Sequence, residues 1–496
     1  MTVLLDGPLK WPQVVTVAEG ARLQLSGDAA RRVQDAAGRV AALVDRGDRA
    51  YGITTGVGAL ADHVVDRDSQ SRLSRNIVLS HACGVGPPLD DAPVRAIMAA
   101  QVNNFAHGYS GVRPAIVAQL LSMLEHGATP VVPSLGSAGY LTHCAHIAST
   151  MIGHGQLRLG GETLPAAVGL ERLGLAPLDL GAKEGLSLVN GTACSTGLAC
   201  IALARATRVL DWADATAAMT LEALGGQLSA FDAGVLALRR GTGLSEVGAR
   251  IRDQLAGSAA LRAAQGARTQ DALSLRAIPH VHGMARDVLA QVGRVVDDEL
   301  ASVTDNPAVL GTPSAPQVAS QAHAVAPALA HALDSCAIAL AQVAAMSERR
   351  TDRLVNPLVS GLPPFLASDP GVGSGLMIAQ YTACALAAEC RRLATPASVD
   401  GGVTSALQED FLAHPTAAAM KLLALLERLE QIVAIELVAA CEAQDAAALQ
   451  GRRSPANERM HASVRKTIAR YADDRPLGPV LESAAEIVRT QTPRSI

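Results

Sequence analysis

The segment Tyr51-Gly52-Ile53-Thr54-Thr55-Gly56-Val57-Gly58 sets one tyrosine ahead of three glycines within seven residues. Such a run suits a mobile loop that carries a phenol over a cavity; the alternative is a structural turn. A phenol serves as a general base only if its pKa, ordinarily about 10, is pulled down by neighbours. Ser187-Leu188-Val189-Asn190-Gly191-Thr192 places an amide at an expected helix start, where it could also be a plain cap. In Gln270-Asp271-Ala272-Leu273-Ser274-Leu275-Arg276 a helical turn would bring Gln270 and Arg276 near one another. Arginine suits bidentate capture of a carboxylate, although a structural ion pair is an equal reading. Gln408-Glu409-Asp410 offers an acid or base, or a solvated helix face.

His143, Cys144 and His146 offer nitrogen and sulfur donors, and His280 and His282 stand in a second segment. Their spacing matches no standard zinc motif, so no metal is expected. Cys144 and Cys194 read as buried structural thiols rather than nucleophiles. The eight cysteines are scattered without a CxxC pair, which fits reduced thiols in a cytoplasmic protein.

These residues need a scaffold, and helical periodicity dominates the chain. Segments 316–350, 375–395 and 415–450 repeat apolar residues at three-and-four spacing, which predicts long helices in a bundle. Strand-like alternation is confined to short candidates such as Leu157–Leu159 and Glu162–Leu164. Gly- and Pro-rich punctuation falls at 52–58, 84–88, 127–139, 305–316 and 357–375. Breaks near 180 and 395 suggest three regions: 1–180 with the tyrosine loop, 181–395 as the long-helix bundle, and 396–496 as a C-terminal helical region. Of the 496 residues 49% are apolar and 18% charged, enough for a large core and against disorder. Net charge is −4 with no basic concentration, which argues against nucleic acid or an anionic membrane as partner. Met1–Pro12 holds no basic start with a long apolar run, and no uninterrupted apolar run of about 18 residues predicts a membrane span.

Taken in order, the motifs resemble the histidine and aromatic amino acid ammonia-lyase and aminomutase family almost end to end. Tyr51–Gly58 is similar to its catalytic tyrosine loop, and Ser80-His81-Ala82-Cys83-Gly84 to its SHAAG pocket segment. Asn190-Gly191-Thr192 matches NGT, Gln270–Arg276 matches QDxYSLR, and Thr304-Asp305-Asn306-Pro307 is TDNP. Ser347–Arg350, Gly361–Leu366, Met377–Thr382 and Gln408–Asp410 complete the series. The resemblance implies an all-α, long-helix bundle of the fumarase/aspartase-like type, assembled as a homotetramer whose sites each draw on three subunits. It also implies a methylidene-imidazolone, an electrophile cyclised from an Ala-Ser-Gly tripeptide of the chain itself.

At that tripeptide the sequence departs from the family. GSxGASGDLxPLAH is expected, and Gly136-Ser137-Ala138-Gly139-Tyr140-Leu141-Thr142-His143-Cys144-Ala145-His146 stands there. Leu273 replaces the second tyrosine, Ala193 the glutamine after NGT, and His280 the glutamine of PQVHG; a GNFHG segment expected near 314–320 is missing. The expectation is therefore an enzyme on a lyase scaffold with no cofactor, its loop at Ser137, Ala138 and Gly139 degenerate. It would act on a small carboxylate substrate already activated, by proton transfer leading to elimination, addition, isomerisation or cyclisation. Tyr51 and Glu409 would be catalytic, Arg276 would hold the carboxylate, and His81, Asn190, Gln270, His280 and Tyr140 would bind substrate. The alternatives are an ordinary histidine or aromatic ammonia-lyase or aminomutase whose cyclised tripeptide is missing from the written sequence, and an inactive partner subunit.

Overall fold

A computed structural model describes residues 1–493. The chain divides into two compact units, neither continuous in sequence. Unit 1 combines Met1–Ala204, Val292–Leu333 and Pro396–Met420; unit 2 combines Arg205–Gln291, Asp334–Thr395 and the chain from Lys421 onward. The sequence reading had set consecutive regions, because punctuation marks where elements end and not which elements pack together.

Among the described residues nine short strands decorate the helices: β1 (Thr2–Leu5), β2 (Arg22–Leu25), β3 (Val85–Pro88), β4 (Thr129–Pro130), β5 (Pro133–Leu135), β6 (Gln156–Leu159), β7 (Glu162–Pro165), β8 (Ala308–Thr312) and β9 (Ala315–Ala319). β1 and β2 pair in parallel, β3 with β5 antiparallel, β4-β6-β7 form a three-stranded sheet, and β8-β9 a hairpin. The two strands read from alternation fall in β6 and β7.

The principal helices include α1 (Gln70–His81), α2 (Asp91–Ala106), α3 (Thr142–Met151), α4 (Glu184–Val189), α5 (Ala193–Ala223), α6 (Ile278–Leu300), α7 (Pro327–Val355), α8 (Met377–Leu393) and α9 (Pro415–Ala446). The helix expected over 316–350 begins only at Pro327. Residues 315–319 pair as β9 instead, and the proline takes the first helical turn, where its missing N–H costs nothing.

Unit 1 packs its core around Ile97, Met98, Phe105, Ile116 and Leu120, and unit 2 around Trp212 and Phe231, all under 2% exposed. Two stretches, 184–223 and 323–355, are long and apolar enough by length and composition to cross a membrane. Their apolar windows are 94% and 61% buried inside the fold, as core helices are.

One crossing in unit 1 depends on a missing side chain. A Cβ on Gly185 would lie 2.1 Å from the Ser74 carbonyl oxygen, so α4 rests directly on the backbone of α1. That contact sets the end of α1, which bears His81, beside the helix that ends at Asn190.

Candidate active site

The tyrosine loop is fixed from below. Ala50 and Ile53 pack into a small core with Val40, Leu43 and Val309. The Thr54 hydroxyl accepts from Ala50 N–H at 2.9 Å and donates to the Asp48 carbonyl at 2.7 Å. Gly52 has φ +62°, and a Cβ there would come within 2.2 Å of Leu186 on α4. The loop therefore needs glycine at this position to seat itself.

At its tip, the Tyr51 phenol oxygen accepts from Gly58 N–H at 2.9 Å. The next amide, Ala59 N–H, donates to the Ser405 hydroxyl at 3.3 Å. Ser405, Ala406 and Leu407 all hold left-handed backbone, with φ of +52°, +48° and +73°. Three consecutive non-glycine residues in that region store strain, as turns at functional sites often do. Thr404 and Glu409 close this turn through reciprocal backbone hydrogen bonds of 2.9 and 3.3 Å.

Glu409 thereby faces two phenols. Burial raises the Tyr51 pKa, the Gly58 N–H draws it down, and the Glu409 carboxylate raises it again. Tyr140 is pushed up to about 12, first by burial and then by Glu409 and Tyr51. Gly139, Tyr140, Val325, Glu409, Phe411 and Leu412 wall one crevice. The structure thus gathers Tyr51, Tyr140 and Glu409 around a single acidic focus.

His81 ends α1 half-buried, its Nδ1 3.1 Å from the Ser80 hydroxyl, and burial lowers its pKa. Asn190 does not start a helix, as its spacing suggested, but closes α4. Its Nδ2 donates to the Asn306 carbonyl at 2.9 Å and its Oδ1 accepts from Gly191 N–H at 2.7 Å. The Thr192 hydroxyl donates to Glu299 at 2.7 Å, and the Thr192 N–H donates to Thr304 Oγ1 at 3.2 Å.

Gln270, Arg276 and His280 belong to unit 2. Only Leu273–Arg276 is helical, so Gln270 precedes that turn and does not share it with Arg276. The buried Arg276 Nε has no partner. His280, in the first turn of α6, is exposed and lines a cleft of about 290 Å³ with Arg239, Arg240 and Asp287.

The histidine–cysteine run has other duties. His146 Nε2 accepts from Gly84 N–H at 3.0 Å, and His143 Nε2 faces the Ser134 carbonyl at 3.2 Å. Burial pushes the Cys144 thiol up to about 12 and raises Cys194. No group of three His, Cys, Asp or Glu side chains among the described residues could hold a metal.

Sequence reading missed Lys183 and Asp305, which sit fully buried 3.2 Å apart behind Asn190. The available signal was lysine itself, used only four times among 42 basic residues. It also placed the GNFHG counterpart at 314–320, in the β8-β9 hairpin. The residues that close on the TDNP turn come just after: Gln321 bonds the Asp305 carbonyl and the Asn306 side chain at 2.8 and 2.7 Å, and the His323 ring bonds the Val303 carbonyl at 2.9 Å.

A helical scaffold presenting a tyrosine loop, an NGT turn and the Thr404–Glu409 turn is the setting of a lyase-type enzyme. The chain belongs to the aromatic amino acid lyase family, whose model matches residues 9–466. It is 41% identical over 490 residues to the histidine ammonia-lyase of Symbiobacterium thermophilum, covering 98% of this chain and 96% of that one. The Chloroflexus aurantiacus histidine ammonia-lyase is 42% identical, with 98% and 96% covered. Among solved structures, tyrosine aminomutase from Streptomyces globisporus superposes with a TM-score of 0.94 at 32% identity, covering 99% of this chain and 97% of that one. Histidine ammonia-lyase from Trypanosoma cruzi gives 0.89 at 32%, covering 99% and 93%.

These likenesses correct two expectations. The cofactor-free enzyme acting on a pre-activated carboxylate is overturned by full-length similarity to histidine ammonia-lyases; the ordinary ammonia-lyase is the better supported alternative. With it falls the expectation of no cofactor, since the family carries the methylidene-imidazolone. Isolated substitutions around the loop carry less information about function than agreement along the whole chain.

The loop itself can be tested against that group. Ser137 Oγ and His143 Nδ1 are buried without partners, and a Cβ on Gly139 would meet nothing nearer than Leu412 at 4.0 Å. The walls therefore fit an added polar ring. The backbone does not: Gly139 joins Tyr140 directly, with no Ala-Ser-Gly between them.

Proposed function

We propose that the protein is an amino acid ammonia-lyase acting on histidine or a close imidazole analogue. The observation that carries this reading is 41% identity to a histidine ammonia-lyase across 98% of the chain. The family's ring, when present, supplies the electron sink without which a β C–H of an unactivated amino acid is too weakly acidic.

In this reading the chain's own groups bind and move protons. Arg276, whose Nε lacks a partner, holds the substrate carboxylate as a fork, with Gln270 and His280 beside it. An α-ammonium settling by Glu409 offsets that carboxylate's share of the rise in both phenols, which burial causes first. Burial still opposes the Tyr51 phenolate and the Gly58 N–H supports it; Tyr51 takes the β-proton. Tyr140, held protonated, donates a hydrogen bond, while Asn190 orients the amino acid and His81 meets the far imidazole. Arg276 and its neighbours would come from a different copy within a homotetramer, in the cytoplasm.

The test is ammonia release from L-histidine, followed also as near-ultraviolet absorbance of the conjugated imidazole acid, with the intact mass of the same sample. The reading expects turnover, loss of at least about 100-fold in Tyr51→Phe, and a mass exceeding the 496-residue chain by Ala-Ser-Gly less two waters. A mass equal to the chain together with no ammonia from histidine, tyrosine or phenylalanine would overturn it.

A further inference from the structure

A chain of buried polar contacts in unit 1 leads from Lys183 and Asp305 to Asn190. Lys183 and Asp305 are each 0% exposed and stand 3.2 Å apart. The Lys183 ammonium also donates to the Ser110 carbonyl at 2.6 Å and the Ser187 hydroxyl at 2.8 Å, which fills its three donors. The other oxygen of Asp305 accepts from Ser110 Oγ at 2.8 Å and Asn104 Nδ2 at 3.1 Å. A buried ion pair contributes little net stability against well-packed apolar groups, so its use here calls for a role in specifying geometry.

Its placement supplies one. Lys183 precedes the first residue of α4 with φ +66°, a strained conformation for a side-chain-bearing residue, and Asn190 follows the last. Asp305 precedes Asn306, whose carbonyl takes the Asn190 amide. The pair therefore joins the start of α4 to the turn that receives its end and closes a ring of contacts: Lys183, α4, Asn190, Asn306, Asp305. We infer that Lys183 and Asp305 are positioning residues that set the Asn190 amide for the substrate. This rests on the ammonia-lyase reading for what Asn190 does, though not for the ring itself. Burial draws the Lys183 pKa down and Asp305 opposes it, so the ammonium depends on its partner.

The test is a cycle on the full-length protein. Either charge removed alone strands the other and threatens folding, so Lys183→Met/Asp305→Asn removes both. Ser187→Ala, which takes away one hydroxyl, is the milder companion. Thermal unfolding checks that each variant folds. The double variant is expected to lose on the order of 100-fold in kcat with KM within a few-fold, the penalty of a misplaced positioning group. Asn190→Ala should cost much less in that background than in the parent, because the amide is already misplaced. Hydrogen exchange of residues 186–193 should quicken in both variants, a readout that stands even if the protein releases no ammonia. Losses that multiply, or unchanged kcat and exchange in a folded variant, overturn the inference. Should the double variant not fold, unchanged exchange in Ser187→Ala overturns it and faster exchange supports it. Absence of ammonia from the parent with faster exchange in the variants would strike the functional reading alone.

Discussion

Replacing Glu436 should show how heavily unit 2 depends on one buried carboxylate. Glu436 and Arg350 are both 0% exposed, and the guanidinium reaches both carboxylate oxygens, at 2.6 and 2.9 Å. The Ser347 and Thr220 hydroxyls donate to the same oxygens at 2.6 and 2.8 Å. Glu436→Gln removes the charge and turns one acceptor into a donor facing other donors. Leaving a buried guanidinium without its counter-ion costs about 3–5 kcal/mol, and a lost hydroxyl contact adds roughly 1 kcal/mol. The total is then about 4–6 kcal/mol, a large share of a typical domain's stability. Arg350→Met/Glu436→Leu removes both charges at similar volume and should recover at least half, since each hydroxyl can turn to its own helix backbone. The assay is urea unfolding of parent, single and double variants side by side. A Glu436→Gln midpoint matching the parent, or a double variant as weak as the single, would refute the reasoning.

Gly185→Ala forces a Cβ to 2.1 Å from the Ser74 carbonyl and should cost about 3 kcal/mol or abolish soluble expression, read by thermal melting. Asp445 lies beside His461 and Arg465, which hold its pKa at about 2 against an ordinary 3.8. Its depressed pKa contributes stability that is present above 3.8 and lost as pH falls toward 2, so acid-unfolding curves of parent and Asp445→Asn should converge across that window. Burial, with Glu409 and Tyr51 beside it, pushes Tyr140 up to about 12 from an ordinary 10, so its neutral form is the one the fold favours. Its contribution is intact below pH 10 and lost as pH rises toward 12. Ultraviolet titration of Tyr140→Phe should therefore remove absorbance change only above the ordinary tyrosine range.

Legibility followed the range of the forces involved. Helices over 377–393 and 415–446 were read within a few residues, because three-and-four periodicity is a local record of one buried face. The false start at 316 shows the limit, since pairing of Ala315–Ala319 with Ala308–Thr312 outweighed an apolar pattern that continued through it. Tyr51 and Glu409 were visible as types, but the Thr404–Glu409 turn that brings them together bridges some 350 residues of sequence separation. Asn190 was assigned to the wrong end of a helix, since an amide caps either terminus and only the packing of α4 on α1 decides. Lys183 and Asp305 were readable as residues and unreadable as a pair, 122 positions apart. The gravest misreading gave a local gap beside Gly139 more weight than similarity spread over nearly 500 positions.

The braided order of the two units bears on biogenesis. Unit 1 takes its last stretch from Pro396–Met420, so a nascent chain cannot complete that body until residue 420 has emerged. At that point unit 2 still awaits everything from Lys421. A chain halted between residues 205 and 420 should leave both bodies unfinished, and chaperone capture of such stalled chains is the expected cellular signature.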